Sequence, residues 1–209
     1  CSLVGSEMSI RDSNIAFLQY GNTMHFVVTN LNDPIVSYDN RTNFVDKMII
    51  NPYSDRTCPC GRRGCVESEL TPSATMSKLR EVFSAEKTPF LYEAARGSFE
   101  NVNQDMITMA YEKDDKAVKE ILNGELTLLA VLLSNLYFST NPQKIVLHQF
   151  KFQNEKAFQK LKDAVTEIGG ALVSSKIELS IIEDKHRFLS GCALAIRELF
   201  FNRGGFDTS

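Results

Sequence analysis

The sequence has no excess of positive charge. It contains 23 lysine and arginine residues against 26 aspartate and glutamate residues, which gives a net charge of −3 and a pI near 5.7. Domains that contact nucleic acid usually carry a basic face, so the composition argues against DNA binding by this chain itself. No apolar run reaches the roughly 18 residues of a membrane span, and the N-terminus lacks the basic and apolar regions of a secretion signal. We therefore expect a protein that does not enter membranes.

The chain also lacks an initiator methionine and a flexible linker. It begins with Cys1, so we expect further residues upstream. A length of 209 residues suits one large domain or two small ones. No segment rich in glycine, serine and proline divides the chain, which favours a single domain over residues 1–209.

The sequence also lacks the even number of cysteines that a disulfide framework needs. Five cysteines in a chain without a secretion signal argue against a disulfide framework. Three of them, Cys58, Cys60 and Cys65, lie within eight residues. Such a compact group indicates a metal site in a reducing cytoplasm, and three unbonded cysteines in a loop are the less probable alternative.

Local patterns predict a mixed α/β chain. We predict a short helix over residues 9–21, ended by Gly21 as its C-cap, because Ile10 and residues 15–18 are apolar. Runs of β-branched and aromatic residues predict an antiparallel meander of strands at 25–29, 34–38 and 47–50, followed by a loop over 51–64. Helical patterns follow at 67–83, 90–97, 103–111 and 114–140. An alternation of strands at 144–148 and 176–182 with helices at 155–168 and 191–201 predicts an α/β layer with parallel strands.

The cysteine group has the pattern C-x-C-G-x-x-G-C-x-E over residues 58–67. Its glycines permit tight turns with positive φ, so three thiolates can converge on one ion. Zn²⁺ is the ion expected for sulfur-rich tetrahedral ligation. The pattern therefore predicts a zinc site with Cys58, Cys60 and Cys65 as ligands.

The same motif resembles the signature of the ROK family (repressors, open reading frames and kinases), where such a loop binds zinc. Residues 113–150 are similar to the family's long helix, Asn-Pro turn and strand. Residues 191–196 are similar to its closing G-A-A-L-x-A helix, and residues 11–16 to its N-D-A-N-x-A segment. The resemblance implies an α/β, actin-like ATPase (ribonuclease H-like) fold, of which this chain would be the C-terminal lobe. The family's other lobe and, in regulators, a helix-turn-helix would lie upstream.

Several departures from the family bear on catalysis. Asp12 stands where family kinases have the base that takes the sugar hydroxyl proton, although an aspartate there would equally suit a helix N-cap. The family's glycine-rich phosphate loop corresponds to residues 29–34, which contain no glycine. Its adenosine-side glycines correspond to residues 148–150, His-Gln-Phe. We therefore expect no kinase activity and assign no catalytic residue.

The sugar and metal sites are also altered. The resemblance assigns ligand binding to Asp12, Asn14 and Glu67. The family's sugar-binding Glu and zinc-binding His correspond to Phe44 and Lys47, and a protonated lysine is not an ordinary zinc ligand. The fourth zinc position is left to water, to a distant side chain or to His25. We expect a structural zinc clip rather than a catalytic zinc.

The resemblance and these departures lead to three functional hypotheses. The first is the sugar-sensing and oligomerisation lobe of a ROK-type transcriptional regulator that is degenerate for kinase activity, acts in the cytoplasm as a homo-oligomer, and contacts DNA only through an N-terminal domain absent from this sequence. The second is a divergent sugar kinase that uses Asp12 as base. The third is an interaction module that has kept the fold and binds no ligand. Arg62 and Arg63, which lie in the cysteine loop, are expected to be solvated turn residues.

Overall fold

The protein is described by a computed structural model over residues 14–21, 23–30, 45–148 and 155–180. All of these except Ser180 belong to one compact unit, Cys1–Leu179. The predicted strand at 34–38, the predicted helix at 191–201 and the candidate residue Asp12 lie outside the described residues. The prediction of a single domain over the whole chain stays a prediction.

A mixed sheet forms the centre of the described structure. Its four strands are β1 (Asn14–Gln19), β2 (His25–Asn30), β3 (Lys144–His148) and β4 (Ile177–Leu179), in the order β2-β1-β3-β4. β1 pairs antiparallel with β2, while β1 with β3 and β3 with β4 are parallel. Parallel neighbours require crossover connections, so the sheet confirms the predicted α/β layer.

The helix predicted over residues 9–21 is wrong where the structure describes it, because Asn14–Gln19 is the strand β1. Burial alternates along this strand: Ala16 and Leu18 are fully buried, whereas Phe17 between them is 38% exposed. An apolar run of four residues fits either a helix or a strand, and pairing with β2 and β3 decides for the strand. Gly21, predicted as a helix C-cap, lies in the turn between β1 and β2 instead.

The predicted strands that follow have mixed outcomes. The strand at 25–29 is confirmed by β2. The strand at 47–50 is wrong: Val45–Lys47 is a 3-10 helix, and Ile49 makes only an isolated bridge with Cys65. The Ile50 N–H donates to the Gly64 carbonyl at 2.9 Å. The backbone here therefore pairs with the cysteine loop instead of joining the sheet.

The predicted helices at 67–83, 90–97, 103–111, 114–140 and 155–168 are confirmed with small shifts of their ends. Thr71 and Pro72 divide the first of them in two, since the Thr71 hydroxyl accepts the Ala74 N–H at 3.3 Å and Pro72 begins a new helix. The helices are α1 (Val66–Leu70), α2 (Pro72–Val82), α3 (Pro89–Ala94), α4 (Gln104–Glu112), α5 (Lys116–Thr140), α6 (Glu155–Gly169) and α7 (Ala171–Ser175).

Helix α5 is the centre of the hydrophobic core. All of its leucines except the half-buried Leu128 are buried in one cluster with Leu18 of β1, Ile145 of β3 and Leu161 of α6. Among the described helices, α5 alone is long and apolar enough to cross a membrane, and 56% of its most apolar window is buried inside the protein. Burial against the sheet and α6 is the behaviour of a core helix. Helix α5 ends at Thr140, and Asn141, with a φ of +44°, caps it before Pro142.

Helices α5 and α6 approach each other closely at one glycine. A Cβ on Gly169 would lie 2.4 Å from the Ser134 hydroxyl oxygen and 3.0 Å from the Ser134 Cβ. The Ser134 hydroxyl donates to the Ala130 carbonyl at 2.8 Å, so the serine is held in place. The absence of a side chain at Gly169 therefore sets the spacing of the two helices.

Candidate metal centre

The cysteine loop is closed by backbone hydrogen bonds. The Cys58 N–H donates to the Arg62 carbonyl at 2.7 Å, and the Gly61 N–H donates to the Cys58 carbonyl at 2.9 Å. A bridge between Thr57 and Arg63 holds the two sides of the turn together. These bonds bring Cys58 and Cys60 back towards Cys65, which precedes helix α1.

Gly64 is the tightest point of the loop. Its φ is +66°, and a Cβ there would lie 1.8 Å from the Asn51 carbonyl oxygen. The Gly64 carbonyl accepts N–H groups from both Ile50 and Asn51, and its own N–H donates to the Arg56 carbonyl at 3.2 Å. Only glycine combines this φ with so close an approach of backbone to backbone. The predicted role of this glycine in turning the loop agrees with the structure.

The three predicted metal ligands converge. The sulfur atoms of Cys58, Cys60 and Cys65 all lie within 4.8 Å of one another, and the Cys60 and Cys65 sulfurs are 3.7 Å apart. Cys58 and Cys65 are buried and Cys60 is exposed. Sulfurs bound to one tetrahedral zinc at about 2.3 Å lie a little under 4 Å from each other. The donor set therefore fits zinc after only a small contraction.

The thiols differ in their affinity for protons. Burial raises the pKa of Cys58 to about 12, and burial also raises the pKa of Cys65. The pKa of Cys60 is lowered to about 6, first by the backbone N–H of Arg62 and then by the Arg62 guanidinium. Cys60 is therefore both the most acidic and the most exposed of the three thiols.

Lys47 and Glu67 form an ion pair beside the sulfurs. The Lys47 ammonium donates to Glu67 Oε2, and the Cys58 thiol donates to the same oxygen at 3.0 Å. Lys47 lowers the pKa of Glu67, and Glu67 raises the pKa of Lys47 above its usual range. Lys47, for which the resemblance predicts the place of the family's zinc-binding histidine, thus lies beside the three sulfurs and is joined to Cys58 through the Glu67 carboxylate.

The prediction of Arg62 as a solvated turn residue agrees with the structure, in which this residue is exposed. Its guanidinium donates to the Lys47 carbonyl at 2.9 Å and interacts with Cys60, which raises the pKa of Arg62. Arg63 behaves as expected, since its pair with Asp55 is 3.7 Å long and well exposed. The sequence shows only two adjacent arginines in a loop, so it contained no signal for the contacts of Arg62 with Cys60 and the Lys47 carbonyl.

The remaining candidate residues are not brought to this centre by the described structure. Asn14 begins β1, where its backbone lies opposite Asn30. His25, one candidate for the fourth ligand, is hydrogen-bonded through Nε2 to the Thr23 hydroxyl at 2.8 Å and is not in the sulfur group. Asp12 lies outside the described residues. The assignment of Asp12, Asn14 and Glu67 to a ligand stays a prediction.

Asp46 carries an unsatisfied acceptor next to the ion pair. Its Oδ2 lies 3.5 Å from the Lys47 ammonium, whereas its buried Oδ1 has no hydrogen-bond partner among the described residues. Buried carboxylate oxygens are nearly always hydrogen-bonded. A ligand hydroxyl or a water molecule would satisfy this atom, and sequence patterns contained no sign of it.

A second polar cluster lies between helices α1, α2 and α5. Lys78, 12% exposed, contacts two buried carboxylates at 3.4 Å, those of Glu69 and Glu125, which are 4% and 3% exposed. The Thr75 hydroxyl binds both Glu125 oxygens at 2.8 and 2.9 Å. An adjacent cleft of about 610 Å³ is lined mostly by α5, including Ile121, Gly124 and Leu128. Sequence analysis did not find this cluster, since Glu125 is 47 residues from Lys78 and 50 from Thr75, and the other members occupy ordinary helix positions.

The family of this chain is shown by its similarity to known proteins. The sequence description of the ROK family matches residues 46–186, about two thirds of the chain, so the chain belongs to the ROK family. The match begins after the segment that contains Asp12 and Asn14. No curated protein matches the chain.

Solved structures of ROK proteins share the fold. A Streptococcus pneumoniae ROK protein, solved in complex with sucrose, is 13% identical with a TM-score of 0.66 over 89% of this chain and 59% of its own. A ROK transcriptional regulator, a homologue of the E. coli MLC protein, is 15% identical with a TM-score of 0.60 over 80% and 41%. A Streptomyces griseus ROK glucokinase, solved with glucose and AMPPNP, is 13% identical with a TM-score of 0.56 over 79% and 60%.

These similarities confirm the predicted actin-like, ribonuclease H-like fold. The chain spans less than two thirds of the length of each of these proteins. They include sugar kinases and a regulator, so the family contains both of the first two hypothesised functions.

Proposed function

We propose that this chain is the C-terminal, effector-sensing lobe of a ROK-type transcriptional regulator that has no kinase activity. The observation that carries the proposal is the lack of a glycine-rich segment near the strands β1 and β2. Residues 1–45 contain only two glycines, Gly5 and Gly21, well separated from each other. A loop whose N–H groups cradle phosphates needs several closely spaced glycines, because side chains would keep the phosphates away.

The turn after β1 supports the same proposal. Tyr20 is buried there, its hydroxyl donates to the Leu70 carbonyl, and its N–H donates to the His148 carbonyl at 2.9 Å. This side chain fills space at the end of β1, where the backbone N–H groups would have to be free of side chains if phosphate were bound at this turn instead of at residues 29–34. The family's adenosine-side glycines also have no counterpart at His148, the last residue of β3.

The proposed ligand is a carbohydrate. ROK neighbours are solved with glucose and with sucrose, and the unsatisfied Asp46 Oδ1 offers an acceptor for a sugar hydroxyl. Asp12 and Asn14 are the further ligand-binding residues that the family motif suggests. Glu67 is already engaged by Lys47 and Cys58, so its contact with a sugar is the least supported of the three.

Zinc is the proposed cofactor, held by Cys58, Cys60 and Cys65 as a structural clip for the loop. Three unpaired thiols also suit a reducing compartment, which supports a cytoplasmic location. Elemental analysis of protein purified with its thiols reduced should find about one zinc per chain. A content below about 0.5 per chain would exclude the metal.

Measurement of nucleotide binding distinguishes a regulator from a kinase. The protein carrying its native N-terminal half should show no heat of binding for ATP with Mg²⁺ in isothermal titration, and no phosphorylation of hexoses. A thermal-shift screen of the same protein against a sugar panel should give at least one stabilising sugar. ATP-dependent hexose phosphorylation would overturn the proposal, and a screen without any hit would favour an interaction module that binds no ligand.

A further inference from the structure

The zinc site as proposed has three protein ligands, whereas structural zinc sites are closed by a fourth. Lys47 occupies the position at which a ROK protein is expected to supply an imidazole. A protonated ammonium has no lone pair to donate. Among the described residues, Glu67 is the side chain that both contacts one of the sulfurs and has a lone pair to donate to the ion.

Glu67 is placed to reach the ion. It lies two residues after Cys65, in the first turn of α1, and its Oε2 is 3.0 Å from the Cys58 sulfur. In a tetrahedral zinc site a sulfur and a carboxylate oxygen lie roughly 3.5 Å apart. The carboxylate stands outside the group formed by the three sulfurs, so completing the tetrahedron requires a rotation about the Glu67 side-chain bonds towards Cys60 and Cys65.

Metal binding itself would break the contact that now holds Glu67. Cys58 would hold zinc as a thiolate and would release its proton to solvent. The Cys58 sulfur can then no longer donate to Glu67, and two anions would face each other at 3.0 Å. Coordination of the same ion by both groups removes that repulsion, because the cation then lies between them.

Two cations are present to balance the resulting charge. Three thiolates and a carboxylate carry two more negative charges than Zn²⁺ supplies. Lys47 binds the Glu67 carboxylate, and Arg62 binds Cys60 and the Lys47 carbonyl. The centre formed by zinc, the four ligands, Lys47 and Arg62 is therefore neutral, which favours it in a partly buried position.

We propose that the Glu67 carboxylate is the fourth zinc ligand, with Lys47 as the positioning residue that orients it. This inference rests on the proposed zinc site. It moves Glu67 from the sugar contact that the family motif suggests to the metal.

The test compares zinc affinity, measured by competition with a chromophoric chelator, in wild-type protein and in E67Q, E67H and E81Q. E81Q is the matched control, because Glu81 pairs with Arg56 on an exposed part of α2. We expect E67Q to weaken zinc binding about 10- to 100-fold, a range typical of disturbed metal ligation. E67H should bind within a few-fold of wild type, since imidazole is a zinc ligand, and E81Q should be unchanged.

Cobalt-substituted protein gives a second readout. Free imidazole added to Co²⁺-loaded E67Q should change its visible spectrum by entering an open position, while wild type should resist it. Equal zinc affinity of E67Q and E81Q, or an equal response of wild type to imidazole, would overturn Glu67 as ligand and leave the three-cysteine site intact. Failure of wild type to bind zinc at all would instead overturn the site itself.

Discussion

At the scale of single residues, the cysteine loop depends on a glycine whose backbone touches another backbone. The Gly64 φ of +66° already excludes most side chains, and the predicted clash of a Cβ with the Asn51 carbonyl at 1.8 Å cannot be relieved by a rotamer change. Gly61 has a similar φ of +84° but nothing within 4 Å of its Cβ position. A substitution at Gly61 would therefore test the positive φ alone, whereas the same substitution at Gly64 would test the positive φ together with the steric clash.

Gly64→Ala should lower the free energy of unfolding by about 3 kcal/mol, from the cost of a positive φ together with a forced backbone shift. Gly61→Ala should lower it by only about 1 kcal/mol, from the positive φ alone. Urea unfolding of the two variants and of wild type measures both values. Equal losses in the two variants would show that the contact with Asn51 does not constrain the loop.

Residue patterns predicted the three sulfur ligands because they are close in sequence and separated by glycines that can turn the chain. The same patterns did not predict the Lys47–Glu67 pair or the contacts of Arg62 with Cys60 and the Lys47 carbonyl. Both depend on how residues 45–50 pair with the cysteine loop. That pairing is a tertiary feature, and a correct local interpretation of each segment does not reveal it.

At the scale of secondary-structure elements, the long helix α5 and the strand β3 that follows it were predictable from the sequence. Helix α5 has a long apolar periodicity and an Asn-Pro end, and α6 ends in two glycines. Strand β1 was not, because its short apolar run has no strand-specific pattern until β2 and β3 flank it. Elements whose ends carry proline, glycine or a capping residue were the ones predicted well.

Two helical glycines should respond in opposite directions to alanine. Gly169→Ala should lower the free energy of unfolding by about 1–3 kcal/mol, because its Cβ would overlap the held Ser134 side chain between α5 and α6. Gly124→Ala in α5 should raise it by about 0.5–1 kcal/mol, since nothing lies within 4 Å and alanine favours a helix.

Thermal or urea unfolding of both variants measures these changes. Ser134→Gly alone should also be destabilising, because it puts a glycine inside α5. The double variant Gly169→Ala with Ser134→Gly should lose less than the sum of the two single variants, because it removes the opposing side chain. Additive losses would contradict the close approach of α5 and α6 as the cause.

The buried cluster that ties α2 to α1 and α5 should be sensitive to its single lysine. Lys78→Met leaves the Glu69 and Glu125 carboxylates buried without their cation, and we expect a loss of about 3–5 kcal/mol in the free energy of unfolding. Lys87→Met, a substitution of an exposed lysine, is the control and should change little. Guanidinium unfolding of both variants is the measurement, and a loss below about 1 kcal/mol in Lys78→Met would show that the carboxylates do not need the lysine.

At the scale of the whole molecule, zinc should stabilise a chain that is already folded. With free zinc about a thousandfold above its dissociation constant, binding adds about 4 kcal/mol to the folded state. For a chain of this size that corresponds to a rise in Tm of roughly 10 °C. Chelation should therefore lower Tm by about that amount while leaving the helical circular dichroism at room temperature unchanged.

A Cys60→Ser, Cys65→Ser double variant controls for effects of the chelator on other parts of the protein, and its Tm should not respond. Loss of helical signal on chelation would show that the fold itself requires the metal. An unchanged Tm in wild type, with zinc removal verified by elemental analysis, would show that the metal contributes no stability.

The backbone bonds around Gly64 also bear on how the loop keeps its shape. The loop is closed by its own N–H and carbonyl groups, which involve none of the three sulfurs. The turn therefore has a source of order besides the metal. Cys60 is the exposed one of the three cysteines, so the exchange of a bound ion with chelators or with free zinc would take place on the side of the site where this residue lies.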